Sequence, residues 1–187
     1  VMNKRDDRFG GSLPERATFA GDIIKETRKQ VGPDIAIILR FSQWKQQDYT
    51  ARLAQTPAEF EAFLKVFVDA GVDVLHASQR RYWEAEFPDV DGENGLNTAG
   101  WAKKLTGLPS ITVGSVGLTG DFEKAFRGEG ATVRKLDDLE ARLDKGEFDL
   151  VAVGRALLQD PDWAKKVREG RISELTNYDA KSLATLY

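Results

Sequence analysis

The chain has 187 residues, of which 41% are apolar and 30% are charged, and its formal net charge is −3. This length fits one ordinary domain or part of a larger one, since α/β barrels run to about 250 residues. It contains no cysteine, which excludes disulfides and thiolate metal sites, and its single histidine, His76, excludes a histidine-based zinc site. The slightly acidic balance argues against a nucleic-acid surface, and no apolar run approaches the ~20 residues that cross a bilayer. We therefore expect a cytoplasmic protein with a small-molecule substrate, no metal, no nucleic acid and no membrane partner.

Four short apolar runs, rich in β-branched residues, predict the strands of a sheet. They lie at residues 35–39, 72–75, 110–113 and 148–153, so that their starts recur every 37 or 38 residues. Helical patterns occupy most of the sequence between them. This is a repeated βα unit, and crossover helices between consecutive strands make the predicted sheet parallel.

Hydroxyl residues mark the starts of the first two predicted helices. Ser12 and Thr56 are each followed by a proline within the first turn and by a glutamate three residues after the cap, the pattern of a capping box. The second helix then carries apolar residues at helical spacing, which predict a face lying on the sheet: Phe60, Phe63, Leu64, Phe67 and Val68. Further helices are predicted at 98–105, 121–126, 136–143 and 161–167.

Two features predict an incomplete domain. The chain opens with a loop and a helix, residues 15–30, that follow no strand, although a helix in a βα series normally follows one. A four-stranded parallel sheet also has two unpaired edges, and four more strands would close it into a (β/α)8 barrel. On length and order alone, half a barrel and a small, complete open sheet are equally good interpretations.

Candidate binding residues follow the predicted strands, because parallel α/β folds bind ligands beyond the carboxyl ends of their strands. Arg40 ends the first strand, and its charge needs an anionic or electron-rich ligand or a neighbouring carboxylate. Gly114 and Ser115 follow the third strand, and Gly154 and Arg155 follow the fourth. Glycine lets the backbone approach a ligand closely, although tight packing of a turn also explains it. In the last two loops of a barrel, these residues favour a phosphate-bearing ligand, with Arg155 donating charge-assisted hydrogen bonds.

A long aromatic and charged segment, residues 76–97, follows the second strand. Its position predicts a loop over the mouth of the site, although Tyr82 and Trp83 would equally serve to cover a helix. His76 is a candidate titrating group, but a lone histidine at a strand end is more often a hydrogen-bonding residue, and we favour that interpretation.

The motifs of the chain resemble those of one family. Residues 3–12, NKRDDRFGGS, are similar to the N-x-R-x-D-x-[YF]-G-G-S signature of the Old Yellow Enzyme family, the FMN-dependent NAD(P)H:flavin oxidoreductases and ene-reductases. Residues 37–42 resemble the fifth barrel strand of that family, 112–117 the seventh and 149–161 the eighth. The resemblance covers essentially the whole chain, in the same order.

This resemblance implies both a fold and a site. The chain, a single partial domain over residues 1–187, would be the C-terminal half (strands 5–8) of a TIM (β/α)8 barrel that binds FMN at its carboxyl end. Hydride would pass from NAD(P)H through the flavin to an activated C=C bond. Arg40 corresponds to the arginine beside the pyrimidine side of the flavin, and Gly154 with Arg155 to the phosphate-binding pair. Amides near Gly114 and Ser115 would complete the phosphate cradle.

The resemblance implies that the catalytic residues are encoded upstream of residue 1. In the family they are a His/His or His/Asn pair that binds the substrate carbonyl and a tyrosine that donates a proton, and loops of strands one to three also contact the flavin. We therefore expect this chain to be inactive alone, to hold FMN weakly if at all, and to need the N-terminal half of the barrel, or a homo-oligomer, as its partner. Two alternatives are a phosphosugar-binding barrel enzyme and a non-catalytic half-barrel that assembles with itself or with a partner half.

Overall fold

The computed structural model describes residues 3–45 and 48–184, which contain four strands and eight α-helices. The strands are β1 (Ile38–Phe41), β2 (Val74–Ser78), β3 (Ser110–Val113) and β4 (Leu150–Val151). The helices are α1 (Leu13–Val31), α2 (Pro57–Ala70), α3 (Pro88–Asp91), α4 (Thr98–Thr106), α5 (Phe122–Phe126), α6 (Asp137–Asp144), α7 (Arg155–Gln159) and α8 (Trp163–Arg168). Two 3₁₀ turns, Ile172–Glu174 and Ala180–Leu183, follow α8. No helix in the described ranges is long and apolar enough to span a membrane.

The sheet is parallel and has the strand order β1-β2-β3-β4, as the repeated βα units predict. In its register, Arg40 pairs with His76, His76 with Ile111 and Ile111 with Leu150, so one row of side chains crosses all four strands. β1 and β4 form the two edges of this sheet. Ile38 and Leu150, one on each edge strand, are 54% and 55% exposed.

The predicted bounds of β1, β2 and β4 are wrong by a few residues, and β2 runs over Val74–Ser78 rather than 72–75. β1 begins at Ile38 rather than 35, because the first ladder contacts with β2 form at Ile37, whose carbonyl accepts from the N–H groups of Asp73 and Val74. Ile35 lies outside the ladder, and its carbonyl accepts a hydrogen bond from Arg28. β4 is confined to residues 150–151, where it pairs with β3.

The first two helices begin at the predicted caps. Ser12 forms a complete capping box: its hydroxyl accepts from the Glu15 N–H, and the Glu15 carboxylate accepts from the Ser12 N–H. Thr56 forms only half of one. The Glu59 carboxylate accepts from the N–H of Gln55, one residue earlier than the sequence pattern predicts.

The helices bury one face of the sheet. The apolar stripe of α2 is confirmed except at Val68, which is only partly buried. Its other members, Phe60, Phe63, Leu64 and Phe67, are buried in a core that includes Leu75 of β2. Each fully buried side chain of this kind contributes about 1.5–3 kcal/mol. Alternate strand residues point to opposite sides of a sheet, so His76, Arg40 and their row lie on the face that these helices do not cover.

The shorter helices depart from the sequence pattern at the end of the chain. The helix predicted at 161–167 is observed as α8. The sequence pattern does not predict α7, because this helix has five residues and follows Gly154 directly. A run this short is below the length at which helical periodicity is informative.

Candidate functional site

A cleft of about 390 Å³ lies at the carboxyl ends of the strands, within the size range of small-molecule sites. All five residues that the sequence singles out line it: Arg40, Gly114, Ser115, Gly154 and Arg155. The other lining residues come from the carboxyl ends of the strands and from the segments that follow them: Ser42, Trp44, Tyr49, Ser78, Gln79, Arg80, Val113, Val116, Leu118, Phe122, Ala152 and Val153.

Arg40 extends from β1 at one side of the cleft and is exposed. Its Nη2 donates to Ser78 Oγ at 3.2 Å. Within residues 3–45 and 48–184, no carboxylate lies within 4.0 Å of its guanidinium. A bridging carboxylate therefore does not account for this charge, which is left available to a ligand.

Arg155 is the first residue of α7 and is half-buried at the opposite side. Its guanidinium donates to the carbonyl oxygens of Gly120, at 2.5 Å, and Asp121, at 3.0 Å, and lies 5.4 Å from the centre of the Tyr178 ring. Burial lowers the pKa of this guanidinium. No carboxylate of the described chain forms an ion pair with it. Two carbonyls use only part of the five N–H donors of an arginine, so the remaining donors and the charge suit an anion.

The loop after β3 has a backbone that presents amides. Gly114 has φ +130°, and a Cβ there would lie 2.6 Å from the Gln79 carbonyl oxygen, so glycine is required by packing. Ser115, with φ +51°, is the one non-glycine residue of the described ranges in the left-handed region. Across those ranges the backbone N–H groups of Ser115 and Val116 have no hydrogen-bond acceptor. Successive free amides of this kind form anion-binding concavities.

The loop after β4 differs from the loop after β3. A Cβ at Gly154 would meet nothing within 4 Å, so packing does not require glycine at this position. Its N–H has no acceptor among the residues described, and the first N–H groups of any helix, here α7, have no partner within the helix. The open space and the free amides lie on the same side of the cleft as Arg155.

An aromatic loop that the sequence analysis missed closes another side of the cleft. The rings of Trp44 and Tyr49 lie 4.7 Å apart, and the guanidinium of Arg80 lies 4.6 Å from the centre of the Tyr49 ring. Trp44 Nε1 donates to the Ser78 carbonyl at 3.1 Å, which fixes the indole against the end of β2. These residues lie in loops that have no periodic pattern. Only their positions soon after β1 and β2 could have indicated that they belong to the site.

Buried Glu86 anchors the aromatic loop. Its carboxylate accepts from Gln43 at 3.2 Å and from Arg52 and Thr98. Gln43 also exchanges two hydrogen bonds with the backbone of Ala54, each of 2.9 Å. Burial raises the pKa of the Glu86 carboxyl, and its three donors oppose that rise. The loop that carries Trp44 is therefore fixed at its base by a fully bonded polar cluster.

Asp121 joins the loops after β2, β3 and β4. It is 2% exposed and caps α5 through the Lys124 N–H, and its Oδ2 accepts from Arg80 at 2.9 Å and from Arg81 at 3.4 Å. Its carbonyl oxygen accepts from Arg155. Burial alone would raise the pKa of this carboxyl, but the bonds from Lys124 and Arg80 outweigh it and lower the pKa.

Residues 76–97 divide between the site and the core. Tyr82 is fully buried among core side chains and does not line the cleft. His76 does not line the cleft, and its buried Nε2 has no hydrogen-bond partner in the described chain, so the expectation of a hydrogen-bonding residue is wrong for that atom. Burial lowers the pKa of the imidazole, and Arg40 lowers it further.

Comparison with known proteins identifies the family. The sequence model of the NADH:flavin oxidoreductase / NADH oxidase family matches residues 1–174. The chain belongs to this family. The resemblance to the Old Yellow Enzyme family is thereby confirmed, and with it the assignment to a family of FMN-dependent NADH:flavin oxidoreductases.

Several characterised members of the NADH:flavin oxidoreductase family are similar to this chain. It is 33% identical to an NADH oxidase of Thermoanaerobacter brockii over 92% of this chain and 24% of that protein. It is 30% identical to an NADPH dehydrogenase of Bacillus subtilis over 88% of this chain and 42% of that protein. The chain thus spans about a quarter to two fifths of these relatives.

Solved structures in this family show the same partial coverage. The Old Yellow Enzyme homologue from Zymomonas mobilis superposes with a TM-score of 0.66 at 16% identity, over 99% of this chain and 45% of that one. Morphinone reductase in complex with tetrahydroNAD superposes with a TM-score of 0.59 at 20% identity, over 90% of this chain and 38% of that one. The four parallel βα units therefore correspond to part of a larger barrel, as the half-barrel prediction requires.

Proposed function

We propose that this chain is a single partial domain, the C-terminal half of an FMN-binding barrel, and that the complete protein reduces activated C=C bonds with NAD(P)H. The observation that carries the proposal is the convergence of Arg40, Gly114, Ser115, Gly154 and Arg155 on one cleft. The family match favours a flavin over a phosphosugar as the phosphate-bearing ligand.

The phosphate group of FMN fits the side of the cleft formed by the loops after β3 and β4. A phosphate needs positive charge and several hydrogen-bond donors. Arg155 supplies a guanidinium without a carboxylate partner in the described ranges, and Ser115, Val116 and Gly154 supply free N–H groups. These residues would hold the phosphate.

The flavin ring fits the side of the cleft next to β1. Bound FMN would supply the hydride chemistry of the reaction. Arg40 keeps an unpaired positive charge at this position, where it would stabilise negative charge on a ring held against it. Trp44 and Tyr49 provide an apolar wall that excludes water from the same side.

The residues that bind and protonate the substrate are proposed to lie in the N-terminal half of the barrel, outside this chain. We infer that activated alkenes are the substrate class, and the cinnamate reductase of Clostridium sporogenes, 27% identical over 93% of this chain, supports this. Residues 1–187 alone are then expected to leave an enone and NADH unchanged, and turnover by the purified chain would contradict this division of roles. A cytoplasmic location is part of the same proposal.

The test of the phosphate site uses Arg155→Met in the protein that carries the whole barrel. Loss of a charge-assisted contact predicts FMN binding weaker by about tenfold to a hundredfold, measured by quenching of flavin fluorescence. Arg171→Met is the control, because Arg171 pairs with Glu169 and Glu174 away from the cleft. Equal FMN affinity in the two variants would refute the assignment of Arg155.

A second candidate, self-assembly of the half-barrel, is favoured by the apolar edge strands. Ile38 and Leu150 are more than half exposed, and edges of this kind pair with other strands. Light scattering on the purified chain tests this candidate. A folded monomer at all concentrations would exclude it.

A further inference from the structure

Gln79 lies in the floor of the cleft and has no role in the site described above. It follows β2 directly, is 8% exposed and lines the cleft. Its Nε2 lies 2.9 Å from Thr112 Oγ1, and its Oε1 is buried without a partner in the described chain. A buried amide oxygen without a donor is uncommon and needs an explanation.

The hydrogen bonds of Asn97 determine how Thr112 must be oriented. Asn97 Oδ1 accepts from the Gly100 N–H at 2.9 Å, so its Nδ2 is the end that faces Thr112 Oγ1, at 3.1 Å, and the Tyr82 carbonyl, at 2.7 Å. Thr112 is fully buried and therefore accepts from Asn97. With Gln79 Nε2 also against it, the Thr112 hydroxyl proton has no acceptor among the described residues.

Exchanging the two ends of the Gln79 amide pairs both the amide oxygen and the Thr112 proton, and it leaves the NH₂ group unpaired in their place. A half-turn about the last side-chain bond is nearly isosteric, because the oxygen and the NH₂ group have similar size. Thr112 then donates its proton to Gln79 Oε1, and every polar atom of the Asn97–Thr112–Gln79 chain is paired except the Gln79 NH₂ group. That group is left with free donors, in a residue that lines the cleft.

We propose that Gln79 is a further ligand-binding residue, whose side-chain NH₂ group donates a hydrogen bond to an uncharged oxygen of FMN, on the ring or the ribityl chain. This inference rests on the proposed function. Gln79 lies between the two parts of the site: Arg40 donates to the preceding residue, Ser78, and Gly114 packs on the Gln79 carbonyl. The phosphate is matched by Arg155 and the free amides, so the neutral donor of Gln79 suits the uncharged part of the ligand.

The experiment compares FMN and riboflavin, which lacks the phosphate, in the protein with the complete barrel. Gln79→Met keeps the shape of the side chain and removes the donor, and it is expected to weaken the binding of both ligands by the same factor, about tenfold. Gln79→Glu accepts from Thr112 but donates nothing when ionised, and it is expected to weaken both more. The melting temperature of FMN-free Gln79→Met is expected to stay close to that of the wild type, because the substitution removes an unpaired NH₂ group together with the acceptor of the Thr112 hydroxyl.

Gln30→Met is the matched control. Gln30 undergoes the same change of side chain, but it is exposed near the end of α1, donates to Glu26 at 2.7 Å and does not line the cleft. Its replacement is expected to leave the riboflavin affinity of the folded protein unchanged.

Three results are decisive against this inference. Unchanged riboflavin affinity in Gln79→Met, with a wild type that binds FMN, would overturn the role of Gln79 and leave the proposed function intact. A loss confined to FMN would move the contact to the phosphate and overturn the assignment. A wild-type barrel that binds neither ligand would overturn the proposed function itself, and this inference with it.

Discussion

Replacing Asp121 by asparagine separates the charge of this residue from its role as a helix cap. Asparagine is as good an N-cap as aspartate, so the bond to the Lys124 N–H is kept. The substitution removes the negative charge that Arg80 and Arg81 share. Both guanidinium groups then lose their buried partner, and the walls of the cleft lose the link between the loops after β2 and β3.

The expected loss is about 2 kcal/mol of unfolding free energy. Breaking a fully buried ion pair costs about 3–5 kcal/mol, and hydrogen bonds to charged groups are worth about 1.5–3 kcal/mol. The side chains of Arg80 and Arg81 are 31% and 24% exposed, so water compensates part of the loss. For a chain of this length, the loss corresponds to a fall of about 4–8 °C in melting temperature. Asp121→Ala removes the cap as well and is expected to cost about 1 kcal/mol more.

Urea unfolding followed by circular dichroism measures these differences, with Asp69→Asn as the control. Asp69 pairs with Lys65 on an exposed helix face, where a lost pair costs below about 1 kcal/mol. The pH dependence gives an independent check. The pKa of Asp121 is lowered below 3.8 in the folded state, so its contribution is present above pH 3.8 and is lost as the pH falls through the folded value.

Wild type and Asp121→Asn are therefore expected to converge in stability below pH 3.8. Equal stability of Asp121→Asn and Asp69→Asn at pH 7 would refute the reasoning, because it would mean that the buried carboxylate does no more than an exposed one. A difference that persists unchanged at low pH would refute the assignment of the loss to its charge.

Two further predictions concern the backbone and the lone imidazole. Gly114→Ala is expected to lower the free energy of unfolding by more than about 2 kcal/mol, because φ is +130° and the new Cβ would lie 2.6 Å from the Gln79 carbonyl oxygen. The control is Gly107→Ala, at φ +71° with nothing within 4 Å, which is expected to lower it by about 1 kcal/mol. Equal losses in urea unfolding would contradict the clash. Burial and Arg40 lower the pKa of His76 below 6.5 in the folded protein. The free energy of unfolding is therefore expected to fall as the pH drops from 6.5 through the pKa of the folded state, and His76→Gln is expected to remove this pH dependence. The single imidazole is followed by NMR, and titration at or above 6.5 would exclude the predicted shift.

Local signals in the sequence predicted the repeating units well. Each apolar run that recurs every 37 or 38 residues is short, and so are the Ser12 capping box and the α2 stripe. Such signals depend on residues that lie close together in the chain. The bounds of β1 were less predictable, because Ile35 is apolar but lies beyond the point at which β2 begins to pair. Apolar character alone does not show where a ladder starts.

The binding residues divide in the same way. Arg40 and the residues of the two glycine loops were predictable, because their positions immediately after strands bring them to the same end of a parallel sheet. The contacts of Asp121 could not be predicted, because Arg80 precedes it by 41 positions and no periodic pattern links the two loops. The unpaired amide of Gln79 was also invisible, because it depends on how Asn97 orients Thr112.

The unpaired edge strands lie on either side of an undivided cleft. β1 and β4 form the outer edges, whereas every candidate binding residue named above lies in these four strands or in the segments that directly follow them. A barrel divided at these edges would keep its phosphate contacts in one piece and its proton donor in the other. The two pieces would then make a complementation pair, in which neither fragment alone holds the coloured cofactor tightly and their union restores both its binding and turnover.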